Sequence, residues 1–307
     1  MACAFLFSGQ GAQAPGMGAD LLDVPEVGTT VALASDVLGY DVADLLRNAP
    51  AEKLNDTLYA QPAMCVLSVG VARALMAKGV VPQAVLGFSL GQISALAVSG
   101  MLSDAETFAL VAKRASLMAE AAKARPGVMS ALLKAAPEEV ERICNEAAAG
   151  QVLVAANFNS PGQIVISGEV EAVERAEAAW ADGGKRFARL ATSGAFHSPL
   201  MREAADGLDA YLSGVTFNEP TIPVICNTDA RPMDAASARA RLVAHLTHPV
   251  LFQQSVEKLA GAGIDCFAEV GFGGVLSNLV KRIDRSAARP CVQDRESFDA
   301  FVGANAS

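Results

Sequence analysis

The stretch Val85-Leu86-Gly87-Phe88-Ser89-Leu90-Gly91-Gln92 limits this chain more than any other. An apolar run from Ala84 ends on a serine with a glycine two residues to either side, and an alanine-rich segment, Ile93 to Val98, follows. This reads as strand, sharp turn, helix: the Gly-x-Ser-x-Gly arrangement that lifts a serine hydroxyl to the top of a sheet. The glycines let the backbone pass close to the turn and to the next helix. That helix aims free N–H groups and the positive end of its dipole at the serine. A carbonyl oxygen turning negative there would be stabilised. A surface serine in a glycine-rich turn fits the same five residues, so the rest of the chain has to decide.

The 307 residues could form one large α/β domain or two smaller ones. Apolar residues make up 52% and charged ones 19%, which excludes a disordered chain. No unbroken apolar run approaches ~18 residues, so no transmembrane helix is expected. Met1 to Phe7 lacks a basic leader and reads as a first strand rather than a signal peptide. The six cysteines (3, 65, 144, 226, 266 and 291) form no CxxC pair, and read as buried thiols in a reducing, cytoplasmic setting. A net charge of −9 argues against nucleic acid as the main partner; an acidic partner would need a local basic patch.

Along the chain, the loop Ser8-Gly9-Gln10-Gly11-Ala12-Gln13 follows the first strand. It lacks both the Walker A ending and the G-x-G-x-x-G spacing, so it reads as a backbone donor loop rather than a nucleotide site. Residues 20–60 carry short helical patterns. Gln61-Pro62 precedes a helix over 63–78, apolar on most faces and expected in the core. Ser103 caps a further helix, with Glu106 completing a capping box. Arg114 lies three or four residues from Leu110, Val111, Leu117 and Met118, so it points along the buried side, where a charge wants a carboxylate. After Arg125-Pro126-Gly127 the order is βαββαβ, a ferredoxin-like unit over 126–192 set into a core of 1–125 and 193–307. His197 stands just before a helix opened by Ser198-Pro199. Only His245, expected at the surface, and His248, in a loop, compete with it as a neutral-pH base for Ser89. Strands are expected at 221–226 and 265–270. Glu269-Val270-Gly271-Phe272-Gly273-Gly274 forms a second strand-end glycine loop, and nothing is assigned beyond Ser286.

Together these pieces resemble the malonyl-CoA:acyl-carrier-protein transacylase family over almost the whole chain. The matching segments are Gly9 to Gln13, Gln61-Pro62-Ala63, Gly87-x-Ser89-Leu90-Gly91, Arg114, Asn157 to Gln163, Gly194-Ala195-Phe196-His197 and Glu269-Val270-Gly271. The resemblance implies an α/β-hydrolase-like core with a parallel sheet and an inserted ferredoxin-like subdomain. It implies malonyl transfer from malonyl-CoA to the phosphopantetheine thiol of acyl carrier protein, by a ping-pong route through a serine ester. Ser89 would carry the acyl group and His197 would act as base. The N–H groups of Gln10 and Leu90 would form the oxyanion hole. Arg114 would bind the malonyl carboxylate, and Phe196 and Asn159 would contact substrate. The expected partners are acyl carrier protein and malonyl-CoA, without nucleic acid or membrane; the expected state is a monomer without metal or cofactor.

Several positions depart from the family pattern: Phe88 for His, Gln92 for Glu, Ser8 for Pro, and Phe272 and Gly274 for Pro and Lys. Leu251 stands where a Gln is typical, at the residue whose backbone carbonyl is implied to orient the histidine. A serine hydrolase, a non-catalytic acyl-binding protein and an acyltransferase of a polyketide pathway are the competing readings. Lys185, Arg186 and Arg189, with Lys281 and Arg282, are the expected docking cations for an acidic carrier.

Overall fold

The computed structural model describes residues 2–305. A five-stranded sheet, all parallel, forms the centre, built from β1 (Cys3–Phe7), β2 (Ala84–Gly87), β7 (Val224–Ile225), β8 (Cys266–Val270) and β9 (Cys291–Val292) in the order β7-β2-β1-β8-β9. Parallel strands are covered on both faces and so read as continuous apolar runs. In β1, Phe5 and Phe7 enter one core cluster while Ala4 and Leu6 enter the cluster on the opposite face.

A second sheet is antiparallel, from β3 (Val128–Ala135), β4 (Leu153–Ser160), β5 (Gly162–Gly168) and β6 (Phe187–Arg189), in the order β4-β5-β3-β6. With helices Pro137–Ala148 and Val170–Asp182 it gives the βαββαβ order expected, and it closes over its own core around Trp180. Its strand β4 joins the rest of the chain through Val250, whose N–H donates to the Ala156 carbonyl and whose carbonyl accepts from the Phe158 N–H.

Helix Thr57–Ala77 differs from its expected span. It begins six residues earlier, capped by Asp56, and carries Pro62 inside it. Proline is disfavoured within helices, so its presence points to a start after residue 62; here Pro62 falls in the second turn. This helix is long and apolar enough to cross a membrane, which the sequence reading did not expect, yet 83% of its apolar window is buried inside the protein. Helix Asp104–Ala124 starts at Ser103 with the full capping box. The region 20–60 holds a 14-residue helix, Pro25–Leu38, and the tail supplies β9 and helix Arg295–Asn305.

The two glycines around Ser89 are required by contact. A Cβ on Gly87 would meet the Gly91 carbonyl carbon at 1.9 Å, and one on Gly91 would meet the Phe7 carbonyl oxygen at 1.9 Å. The turn from β2 into helix Gly91–Val98 therefore packs backbone on backbone, directly beside the end of β1 and the Ser8–Gln13 loop.

Candidate active site

Ser89 sits at the tip of that turn with φ +50°, a left-handed conformation rare outside glycine. Its Oγ lies 2.7 Å from His197 Nε2. His197 also has positive φ, at +58°, and is 2% exposed. The segment after it opens as a 3-10 turn, Pro199–Met201, capped by Ser198, before helix Arg202–Leu212. His197 Nδ1 is 2.8 Å from the His245 backbone carbonyl. A carbonyl can only accept, so Nδ1 carries the proton and Nε2 is left to accept from the Ser89 hydroxyl. Burial, with the nearby Arg114 charge, pulls the His197 pKa down to about 4, so the imidazole is a neutral base at neutral pH.

The orienting carbonyl belongs to His245 and not to Leu251, whose carbonyl instead accepts from the N–H and hydroxyl of Ser255. His245 is also not a surface residue. It is 2% exposed, and its ring centroid lies 5.1 Å from that of His197. Ala238, Leu242 and His245 share the buried stripe of helix Ala235–His245, a spacing that the flanking Arg239 and Arg241 obscured. His248 is exposed. Burial, then the neighbouring His197 and Arg114, hold the His245 pKa well below the ordinary histidine value.

Arg114 is 1% exposed. One guanidinium nitrogen donates to Gln61 Oε1 at 2.6 Å, the other lies 3.3 Å from Ser89 Oγ, and Nε has no partner. Among the described residues no carboxylate pairs with it. Burial lowers its pKa to about 10, which leaves it cationic at neutral pH. Gln61 is the functional neighbour that the late helix start concealed, since it lies in the turn before Pro62.

Ser89, His197, Arg114, Gln61, Met118 and Phe196 line a cavity of about 90 Å³, which Gln10 and Leu90 also border. The Gln10 and Leu90 N–H groups have no acceptor among the described residues. A second cavity, of about 440 Å³, shares Gln10, Phe88 and Leu190 with the first and runs past Asn159 to Val275, Leu276 and Leu279. Asn159 thus faces the outer space rather than the serine; it is 9% exposed, and its Oδ1 has no partner.

The departures have local explanations. Phe88 packs edge-on against Phe252 with centroids 5.5 Å apart. The Ser8 hydroxyl donates to Glu269 Oε1 at 2.5 Å, while Oε2 accepts from the Ser277 N–H at 2.8 Å. Gly274 has φ +73°, which a lysine would adopt only with strain. Of the expected docking cations, Lys185 pairs with Glu139, and Arg189 with Glu177 and Glu174, so both charges are already neutralised.

Residues 4–298 match the acyl transferase domain family. The malonyl CoA-acyl carrier protein transacylase of Salmonella typhimurium is 44% identical over 284 residues, 91% of this chain and 92% of that protein. The crystal structure of malonyl-CoA:acyl carrier protein transacylase from Xanthomonas oryzae superposes with a TM-score of 0.96 at 42% identity, covering 100% of this chain and 99% of the other. A malonyl-transacylase solved in complex with a type II polyketide acyl-carrier protein superposes at 0.95 with 40% identity, over 99% of this chain and 100% of that one.

Proposed function

The chain belongs to the malonyl-CoA:acyl-carrier-protein transacylase family of acyl transferase domains, and on that premise we propose that it moves malonyl groups from coenzyme A to an acyl carrier protein through an ester on Ser89. The observation that carries this reading is the buried Arg114 guanidinium, 3.3 Å from the Ser89 hydroxyl and without a carboxylate partner among the described residues. An acyl group with a free carboxylate completes that site; acetyl does not.

In the first half-reaction His197 Nε2 takes the Ser89 proton as Oγ attacks the thioester carbonyl. The Gln10 and Leu90 N–H groups receive the developing oxyanion. The imidazolium then gives its proton to the departing coenzyme A thiolate. In the second half His197 takes the proton of the carrier's phosphopantetheine thiol, the thiolate displaces Ser89 from the ester, and the imidazolium returns that proton to the departing Ser89 Oγ. Arg114 holds the malonyl carboxylate in both halves. The thioester brings its own activation, so the reaction needs no cofactor, and every group comes from one chain, which suits a monomer. Phe196 closes a cavity of about 90 Å³, which suits malonyl and crowds an α-methyl group. The 440 Å³ cavity gives the pantetheine arm its path, with Asn159 Oδ1 as an acceptor for an arm amide. The unpaired cysteines support a cytoplasmic setting, where the reaction would feed fatty-acid synthesis.

A hydrolase reading is disfavoured because His197 leans on a peptide carbonyl rather than a carboxylate. Incubation with malonyl-, methylmalonyl- and acetyl-CoA, followed by intact-mass spectrometry, tests the proposal. The malonyl adduct should dominate, vanish in Ser89→Ala, and discharge on adding holo carrier protein. Release of free malonate without transfer would favour the hydrolase.

The carrier should dock on the far end of helix Val275–Ile283. Its first turns line the outer cavity, and its end, with the following segment, presents Lys281, Arg282, Arg285 and Arg289 around a cavity of about 800 Å³. Charge reversal at Arg282 and Arg285 should raise the KM for carrier protein and leave that for malonyl-CoA unchanged. Equal KM values in variant and wild type would remove this surface.

A further inference from the structure

The left-handed backbone at Ser89 is strained and persists only where its surroundings hold it. One side chain does most of the holding. Asn227, fully buried just beyond β7, accepts the Ser89 N–H on Oδ1 at 2.9 Å and donates from Nδ2 to the Gly87 carbonyl at 2.7 Å. Its amide therefore bridges the turn on both sides of Phe88. The Asn227 backbone N–H donates to Gln92 Oε1 at 2.9 Å, in the first turn of the helix that follows the serine. Its carbonyl accepts from the Leu251 N–H at 2.8 Å. One residue thus ties together the end of β2, the nucleophile, the helix start and the segment that follows the orienting His245.

We propose that Asn227 is a positioning residue for acyl transfer, fixing the elbow so that Ser89 Oγ meets His197 Nε2, and that Gln92 fixes Asn227 in turn. The proposal deepens the acyl-transfer reading and rests on it. Asn227 does not line the acyl cavity, so it acts through Ser89. By occupying the Ser89 N–H it also leaves Leu90 and Gln10 as the donors free for the oxyanion. The task needs a donor and an acceptor side by side, which an amide supplies. An ionised aspartate would set a second acceptor against the Gly87 carbonyl, and an aliphatic side chain would leave two buried backbone groups unpaired.

The test follows ester formation on Ser89 by rapid quench and intact mass in wild type, Asn227→Ala, Asn227→Asp and Gln92→Ala. A misplacement near 1 Å costs on the order of 100-fold in rate, so Asn227→Ala should lower the maximal acylation rate by about that factor. Half-saturation by malonyl-CoA should stay within about threefold, because the Arg114 pocket is untouched. Gln92→Ala should fall in the same direction, and the double variant should lose less than the product of the two single losses, because they act on one network. Asn227→Asp keeps the acceptor for Ser89 and regains the donor only when protonated. Its rate relative to wild type should therefore climb as pH drops from about 8 to about 5.5, burial having raised that carboxyl's pKa. A mere packing role would give no such recovery, and this variant decides the matter if the alanine variant does not fold. An Asn227→Ala rate within about threefold of wild type, a loss confined to KM, or a flat pH ratio for Asn227→Asp would overturn the proposal. A wild-type protein that forms no malonyl ester would instead overturn the acyl-transfer reading itself.

Discussion

A guanidinium sealed from water without a carboxylate is costly for a fold to keep, because its lost hydration is not repaid by a partner. Arg114 bears that cost in the free protein, where among the described residues the Gln61 amide and the Ser89 hydroxyl are its hydrogen-bond partners. In the proposed reaction the malonyl carboxylate repays it. Arg114→Met should therefore leave the thermal midpoint of the ligand-free protein equal to or above wild type, while malonyl transfer falls. A hydrogen bond to a charged group contributes roughly 1.5–3 kcal/mol, so Arg114→Ala should narrow the malonyl-over-acetyl ratio by roughly 10- to 150-fold. Competition between the two thioesters measures that ratio, and an unchanged ratio would detach Arg114 from substrate selection. The inward direction of Arg114 was legible from four apolar neighbours at helical spacing. Its Gln61 partner was not, because proximity across 53 residues leaves no local pattern. His245 was legible only to a reader who set the spacing of Ala238, Leu242 and His245 above the two arginines beside them.

At the scale of elements, strand ends and helix starts do the positioning. The sequence shows them where a turn has its own chemistry: the glycines at 87 and 91, the Ser103–Glu106 box, the βαββαβ order. It hides them where tertiary contact overrides propensity. Pro62 inside helix Thr57–Ala77 is one such case. The two-residue strand β9 is another, since pairing with the longer β8 defines it and its own composition does not. The Ser8–Glu269 contact belongs here as well. Glu269, at 0% exposure on β8, grips the loop that carries Gln10 through Ser8 and the first turn of helix Val275–Ile283 through the Ser277 N–H. Removing a hydroxyl donor from a buried carboxylate forfeits about 1.5–3 kcal/mol, so Ser8→Ala should lower the urea midpoint accordingly with an unchanged m-value. Because that loop holds Gln10, one of the two proposed oxyanion donors, the acylation rate should drop as well. A variant as stable as wild type would mean that the contact contributes nothing net.

Across the whole molecule, the site draws on residues from 10 to 245, and their convergence is a property of sheet order rather than of any local segment. Parallel pairing of β1 with β2 sets the Gln10 loop beside the Ser89 turn, and the antiparallel sheet brings the chain back at His197. Two histidines end up buried and touching in that assembly, and this sets the acid limit of the fold. In the open chain each would bind a proton near 6.5, whereas the folded His197 does so only at about 4 and His245 also well below its ordinary value. The unfolded chain thus takes up more protons as pH falls, so the stability tied to these groups is complete above about 6.5 and is lost as pH drops toward about 4. At pH 5 the His197 difference alone amounts to about 2 kcal/mol. The calorimetric midpoint should therefore hold from pH 8 to 7 and fall by several degrees between pH 6.5 and 5. His245→Gln retains the backbone carbonyl that orients His197 and removes one of the two titrating rings, so its midpoint should fall less steeply over that interval. The acylation rate should stay level down to about pH 5 in both proteins, since the base does not protonate until about 4. A wild-type midpoint flat to pH 5, or a rate that halves near 6.5, would show that His197 titrates as an exposed histidine does, and the buried, carbonyl-oriented base would have to be abandoned.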